Sequence, residues 1–206
     1  MRRTPFSTIP VMLAGAVTLS ACVSVLPEQP KPEAVYRFAE PDAQFDLTGT
    51  LVIHEPEAPR LLAGRQIAVA ASDDGLKIIP GVAWADRSTR LFQVTMIDTF
   101  SESGGGYAVD DVAGFSGDYE LFWRVSEFSL KGGSGHCTLR LTLMDGGSRD
   151  PVAQETVMAS VPASGTGARA RAKALSEAGR DCVADGARHL ANTIREKEAR
   201  ESGAED

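Results

Sequence analysis

The sequence is poor in the residues that usually build metal centres and catalytic sites. Its 206 residues include only three histidines and three cysteines. His54, His136 and His189 do not pair at metal-ligand spacing, and the cysteines form no Cys-x-x-Cys motif. A phosphate-binding loop and a dinucleotide-binding glycine fingerprint are also missing. These absences argue against the common metal-dependent and nucleotide-dependent enzymes, and we expect no cofactor.

Long apolar runs and positive charge are scarce as well. The apolar stretch at 9–17 is shorter than the roughly 20 residues that a membrane-spanning helix needs. The chain has 21 basic and 28 acidic residues, a formal net charge of −7. An acidic chain without a basic block is a poor fit to nucleic acid or to electrostatic docking on anionic lipid. The length suits one ordinary globular domain.

The N-terminus has the layout of a bacterial export signal. Met1-Arg2-Arg3 is positive, 9–17 is apolar, and Leu-Ser-Ala precedes Cys22. This ending resembles the lipobox, in which the cysteine thiol is acylated and becomes the first residue of the mature chain. The alternative is an ordinary signal peptide cut near Ala21. We predict a signal peptide at 1–21 and lipidation at Cys22, which leaves 19 basic and 28 acidic residues and a net charge of −9.

The mature chain divides into a tether, a domain and a tail. Three prolines in the segment 26–33 favour an extended spacer, so 22–35 is predicted as an acylated, proline-rich tether. The folded domain is placed at 36–197, and the charged segment 198–206 is predicted as a disordered tail. By the usual lipoprotein sorting rule an aspartate after Cys22 would favour the inner membrane. Val23 stands there, so we expect the outer membrane, with the domain facing the periplasm.

Periodicity within the domain predicts an α+β fold. Alternating apolar residues indicate strands at 45–54, 67–71 and 76–79, and a meander of three antiparallel strands at 119–128, 137–143 and 152–161. A broad apolar face predicts a largely buried helix at 87–102 capped by Asp86, and an apolar stripe predicts a long helix over about 166–200. We therefore predict a single domain with a mixed, mainly antiparallel sheet and two main helices packed on it.

Two cysteines remain once Cys22 is acylated. Cys182 falls on the apolar stripe of the long helix, and Cys137 on the leucine-rich face of its strand. If the helix covers that face, the sulfurs meet, and an oxidising compartment would favour a Cys137–Cys182 disulfide. The alternative is two buried free thiols. His136 precedes Cys137 and would lower its thiol pKa if that cysteine were reactive.

Few other residues suggest a site. Gly114-Phe115-Ser116-Gly117 resembles a nucleophile elbow, but its second glycine comes one place early, so a turn explains it better. Adjacent acids at Asp73–Asp74 and Asp110–Asp111 read as solvated turns. Trp84 and Trp123 are typical core residues, with an apolar groove for a lipid chain as the alternative use.

The order of motifs resembles a known family. "LVIHEPEAPRLLAGRQIAV" at 51–69 is followed by "DDGLKIIPGVAWADRSTRLFQVTMIDTFSESGG" and then by "GDYELFWRVSEFSL". This order is similar to that of the ABC-type transport auxiliary lipoproteins, the family of paraquat-inducible protein C, over roughly 36–195. The isoleucines in 76–79 depart from the aromatics that the family often has there.

The resemblance implies a function that composition does not. Such lipoproteins are envelope partners of MCE-domain proteins, which work with an ABC permease and ATPase to move lipids or other hydrophobic molecules. We therefore expect a non-enzymatic transport component, with a homo-oligomeric ring as an extension of that hypothesis. Two alternatives are a structural or assembly lipoprotein of the outer membrane, and an anchored hydrolase using Ser116.

Overall fold

The computed structural model describes residues 31–71 and 75–203. The predicted signal peptide, Cys22 and the Asp73–Asp74 turn lie outside the described residues. Within them the chain forms ten strands and three α-helices. The strands are β1 (Ala34–Tyr36), β2 (Phe45–Asp46), β3 (Thr50–Ile53), β4 (Gln66–Ala70), β5 (Leu76–Trp84), β6 (Phe100–Ser101), β7 (Tyr107–Asp110), β8 (Tyr119–Lys131), β9 (Ser134–Asp145) and β10 (Pro151–Pro162). The helices are α1 (Arg60–Ala63), α2 (Ser88–Asp98) and α3 (Ala168–Ser202).

The predicted meander forms the centre of the sheet. β8 pairs antiparallel with β9, and β9 with β10, over long stretches. Each pairing shifts register once, between Val125 and Glu127 in β8 and between Pro151 and Ala153 in β10. Along β9 the residues alternate strictly, so Cys137, Leu139, Leu141 and Leu143 are buried while the residues between them face outward. One face of the meander therefore belongs to the core, and the opposite face, which we call the outer face, is polar.

The long helix α3 covers the buried face of the meander. Its buried residues include Leu175, Cys182, Leu190 and Ile194, which follow the predicted stripe. Helix and sheet approach closely at glycines, because a Cβ on Gly186 would lie 3.0 Å from Leu141 Cδ1.

The predicted fold class is confirmed, with a topology that is more parallel than expected. β9 pairs with one edge of β8, and two different strands, both parallel to β8, pair with its other edge. β3 pairs with its first residues, where Ile53 lies opposite Leu121, and β4 pairs near its other end, where Val69 lies opposite Leu130. β3 continues to β7, while β4 continues to β5 and β1. At roughly 3.3 Å per residue, the two groups of strands are about 30 Å apart along β8.

Several boundaries differ from those predicted. The helix predicted at 87–102 begins at Ser88 and ends at Asp98, because Phe100 and Ser101 leave it to pair with β2. Asp86 accepts the Arg87 N–H but does not cap the helix. β5 extends to Trp84 through Pro80 and Gly81, where Gly81 has a positive φ of 79° and the pairing with β4 is interrupted. The strand predicted at 45–54 is split into β2 and β3. Finally, α3 runs to Ser202, into the segment predicted as the tail.

Candidate functional site

The two tryptophans predicted as alternative groove residues lie in the core. Trp84 is 1% exposed and stacks on Phe128, with ring centroids 5.3 Å apart. Trp123 is 5% exposed and packs edge-to-face with Phe92, and its indole N–H donates to the His54 carbonyl oxygen at 2.6 Å. Their rings are enclosed by other side chains, so the alternative of an open apolar groove at Trp84 and Trp123 is wrong.

The structure brings Cys137 and Cys182 together, as the predicted faces required. Both side chains are buried in the same core cluster, and the Cys182 thiol donates to the Val157 carbonyl oxygen at 3.6 Å. The structure holds them as free thiols rather than as the predicted disulfide. Burial raises the pKa of the Cys137 thiol well above its usual range. His136 points away and contacts the Lys131 carbonyl oxygen at 3.2 Å, so an activated thiolate at Cys137 does not fit this arrangement.

A hydrogen-bonded cluster forms at the β3 end of the sheet. The His54 ring lies between two carboxylates, with Nδ1 3.1 Å from Asp111 Oδ2 and Nε2 3.1 Å from Glu120 Oε2. It also stacks on Phe122, with centroids 4.2 Å apart and planes inclined by 15°. The ring connects the segment after β7 to the outer face of β8.

Helix α2 holds the same segment from the other side. Gln93 is 1% exposed, and its side-chain N–H groups donate to the Ile53 carbonyl oxygen at 2.8 Å and to Asp111 Oδ1 at 3.2 Å. Arg90 forms an ion pair with Asp110 at 3.4 Å. Because buried amides are costly to leave unpaired, these bonds fix the position at which the chain leaves β7.

The chain then crosses the outer face as the loop 111–118. β7 and β8 flank β3 and are both parallel to it, so the connection between them must run back along β3. It passes over Val52, since a Cβ on Gly117 would lie 2.9 Å from Val52 Cγ2. Val52 is opposite Glu120 in the register and so points to the outer face. The loop therefore covers part of the outer face, opposite the face on which α2 and α3 pack.

Exposed apolar side chains distinguish this end of the outer face. Val112 is 81% exposed, Phe115 is 55% exposed and Phe122 is 38% exposed. We call these three residues the crossover patch. This patch was not predicted, because Gly114-Phe115-Ser116-Gly117 was interpreted as a turn and the exposed face of β8 was not identified. A sequence signal did exist, in the valine and the phenylalanine of an otherwise small and acidic loop.

The depressions of the surface are polar. One of them, with a volume of about 590 Å³, lies between the β9–β10 turn and the end of α3. Lys197 binds Asp145 at 2.9 Å and Glu201 at 2.6 Å on its wall. The backbone N–H of Ser148, followed by Lys197, lowers the pKa of Asp145 to about 2. Its charged groups already bind one another, so the depression joins α3 to the sheet and does not suit an apolar ligand.

Two chemical features are absent from the described residues. In 31–71 and 75–203, no group of three histidine, cysteine or acidic side chains is arranged to hold a metal ion. In the same ranges no helix is both long and apolar enough to cross a membrane.

Solved structures share this fold at low sequence identity. A crystal structure of a DUF330-family protein from Xanthomonas campestris superposes with a TM-score of 0.69 at 20% identity, covering 81% of this chain and 99% of that one. A second, uncharacterized protein gives a TM-score of 0.63 at 16% identity, covering 78% and 99%. No curated protein matches the sequence.

The family comparison covers most of the chain. The model of the ABC-type transport auxiliary lipoprotein component matches residues 15–185, which include the last residues of the apolar segment before Cys22, the whole sheet and the first half of α3. The chain therefore belongs to the family of ABC-type transport auxiliary lipoprotein components.

Proposed function

We propose that this protein is the outer-membrane-anchored, periplasmic auxiliary component of an MCE/ABC-type system that moves lipids or other hydrophobic molecules. It binds an MCE-domain protein and performs no catalysis. Family membership supports the transport role, and the lipobox with Val23 after Cys22 supports the anchor and its membrane. Energy then comes from the ABC permease and ATPase of the same system.

The crossover patch is the observation that carries the partner-binding role. Val112, Phe115 and Phe122 are apolar, exposed and placed on one end of one face. Exposed apolar clusters with a polar rim are typical of protein interaction sites. The loop that carries two of them is held by Asp111 through His54 and Gln93, so little conformational freedom has to be lost on binding.

The interior supports a docking role rather than a carrier role. One continuous cluster of buried side chains runs from Phe38 through Trp84, Phe92 and Phe128 to the leucines of β9. A pocket for a drug-sized or lipid-sized ligand usually needs several hundred Å³ with mainly apolar walls. Here the apolar side chains contact one another, and the transported molecule would travel through the partner.

Copurification tests the proposal with a matched control. The wild-type chain carries a C-terminal tag, and the test variant combines Val112→Ser with Phe115→Ser. The control is Met158→Ser on β10, since Met158 is 71% exposed but lies outside the patch. Wild type and control should recover an MCE-domain protein from membranes, and the patch variant should lose it while staying folded and membrane-bound.

Three results would contradict parts of this proposal. Reproducible absence of an MCE-domain protein, in a genome whose neighbouring genes encode none, would reject the transport role. Envelope-assembly proteins in its place would support the alternative of a structural or assembly lipoprotein. Labelling of Ser116 by an active-site serine probe would reject the non-enzymatic role.

The proposed homo-oligomeric ring can be tested separately. Native mass spectrometry of the acylated protein in mild detergent should show one discrete oligomer that persists on dilution. A monomer at all concentrations, with the partner present, would exclude the ring without affecting the docking role.

A further inference from the structure

A second set of exposed apolar side chains lies at the opposite end of the sheet. Val35 is 55% exposed, and Leu76 and Ile78 are each 43% exposed. We call these three residues the tether patch. They belong to the strands β1 and β5, at the far end from β7 in the strand order. Neither the family match nor the crossover patch accounts for them.

The strand register shows that the three side chains share the outer face. Leu76 is opposite Ala70 and Ile78 is opposite Ala68, and these alanines alternate with Ile67 and Val69, which point to the core. The bulge in β5 then brings Ala83 opposite Gln66, on the same face as Ala68. Val35 is opposite Ala83. Because paired residues point to one side of a sheet, Val35, Leu76 and Ile78 form one surface.

The tether enters the domain beside this surface. The Glu33 N–H donates to the Gly81 carbonyl oxygen at 2.9 Å, which joins the last tether residues to β5. Lys31 is the first described residue and is nine positions after Cys22. A chain of that length reaches at most about 30 Å when extended and about 17 Å on average when flexible. An acyl anchor on Cys22 therefore keeps the tether patch close to the lipid surface.

Charge near the patch is mixed. Lys31 and Glu33 are exposed beside it. Lys77 is opposite Val69 in the register and so points to the other face of β5. Lysine stems can lie along an apolar surface while their ammonium groups reach lipid phosphates. An attraction that depended on anionic lipid would need a cluster of positive charges, which these residues do not provide. The apolar side chains must supply the contact.

We propose that the tether patch lies on the phospholipid leaflet that holds the acyl anchor, with Val35, Leu76 and Ile78 at the boundary of headgroups and acyl chains. This placement rests on the proposed acylation of Cys22. A short tether raises the effective concentration of the lipid surface into the millimolar range, so a contact too weak to bind alone becomes populated. The crossover patch lies about 30 Å away along β8.

An environment-sensitive fluorophore on Ile78→Cys tests the placement. The acylated full-length protein is incorporated into phosphatidylcholine vesicles and labelled with a nitrobenzoxadiazole group. Cys137 and Cys182 are at most 1% exposed, so the label is directed to position 78. The emission should shift to shorter wavelength and be quenched by lipids with a spin label near the headgroup. The same label on Met158→Cys should show neither change.

Each other outcome overturns a defined part of the proposal. A label at position 78 that behaves like the one at 158 on vesicles rejects the membrane contact while leaving the anchor intact. A label that is already shielded in the soluble Cys22→Ser variant shows that a second copy covers the patch. Failure of the acylated protein to float with vesicles rejects the anchor itself and the placement that depends on it. Adding Leu76→Glu to the labelled Ile78→Cys variant should abolish the shift of the emission, while the protein stays bound to the vesicles.

Discussion

The close contact between β9 and α3 predicts a graded response to alanine at three glycines. A Cβ on Gly135 would lie 2.7 Å from the Ala174 carbonyl oxygen and 2.7 Å from both N and Cα of Leu175. All three are backbone atoms of one helix turn, which no side-chain rotation can move. To lengthen these distances to an ordinary contact of about 3.4 Å, the first turns of α3 must move away from the sheet.

The expected cost follows from two opposing effects. Overpacking of a dense core costs about 1–3 kcal/mol, and backbone obstacles belong at the upper end of that range. Replacing glycine also lowers the conformational entropy of the unfolded chain, which stabilises the fold by about 0.4–1 kcal/mol. Gly135→Ala should therefore lower the free energy of unfolding by about 2 kcal/mol. For a chain of this size that lowers the melting temperature by roughly 4–8 °C.

Two other glycines serve as matched controls. At Gly186 the nearest atom is the terminal Cδ1 of Leu141 at 3.0 Å, which a flexible side chain can move. Helix propensity favours alanine there by about 0.8–1 kcal/mol, so Gly186→Ala should leave stability unchanged or raise it. A Cβ on Gly64 meets nothing within 4 Å, and Gly64→Ala should be neutral or mildly stabilising.

Urea unfolding followed by circular dichroism measures all three variants. The slope with urea should stay constant, so that changes in the midpoint report stability. Wild-type stability of Gly135→Ala would contradict this prediction, and so would a Gly186→Ala variant that is destabilised as much as Gly135→Ala. Either result would mean that the interface between α3 and the sheet adjusts more freely than its backbone contacts allow.

Three further predictions concern the cysteines, a charged turn and a buried amide. Oxidation of Cys137 and Cys182 would close a loop of more than forty residues and stabilise the fold by about 3–4 kcal/mol. Protein purified from the periplasm should therefore have a lower melting temperature with reductant than without it. Cys182→Ser should abolish that difference. The pKa of Asp145 is lowered from 3.8 to about 2, so its carboxylate stabilises the fold above pH 4, and this contribution is lost as the pH falls toward 2. Asp145→Asn should therefore be less stable than wild type at pH 7, and the difference in free energy of unfolding, measured by urea titration, should shrink steadily below pH 4. A difference that does not change with pH would contradict the role of the Asp145 carboxylate. Gln93→Ala removes a buried donor from the Ile53 carbonyl oxygen and should cost about 1–3 kcal/mol, with faster proteolysis within 111–118 than wild type shows.

Much of the fold could be predicted because its signals are local. The strict alternation of β9 and the apolar stripe of α3 each identify an element and the face that it buries. That is also why Cys137 and Cys182 were correctly expected to meet, although their oxidation is still a prediction. The short strands β1 and β7 were missed, since three or four residues carry too little pattern and owe their extended form to a neighbouring strand.

The candidate surfaces were harder to predict for a related reason. Phe122 and Trp123 are adjacent aromatics on β8, yet one is 38% exposed and the other is 5% exposed. Which of them faces water depends on the side that α2 and α3 cover. Val112 and Phe115 became a surface only through the parallel pairing of β7, β3 and β8, which forces their loop across the outer face.

The anchor could be predicted from linear motifs, because an export signal and a lipobox are read before the chain folds. The fold class could also be predicted, because burial of a periodic apolar pattern dominates the free energy of folding. The three-dimensional arrangement was needed to choose the core over a groove for Trp84 and Trp123, and to show that the exposed apolar residues separate into two patches about 30 Å apart. Those assignments depend on strand register and on the uncovered face of the sheet, which contacts between distant parts of the chain establish.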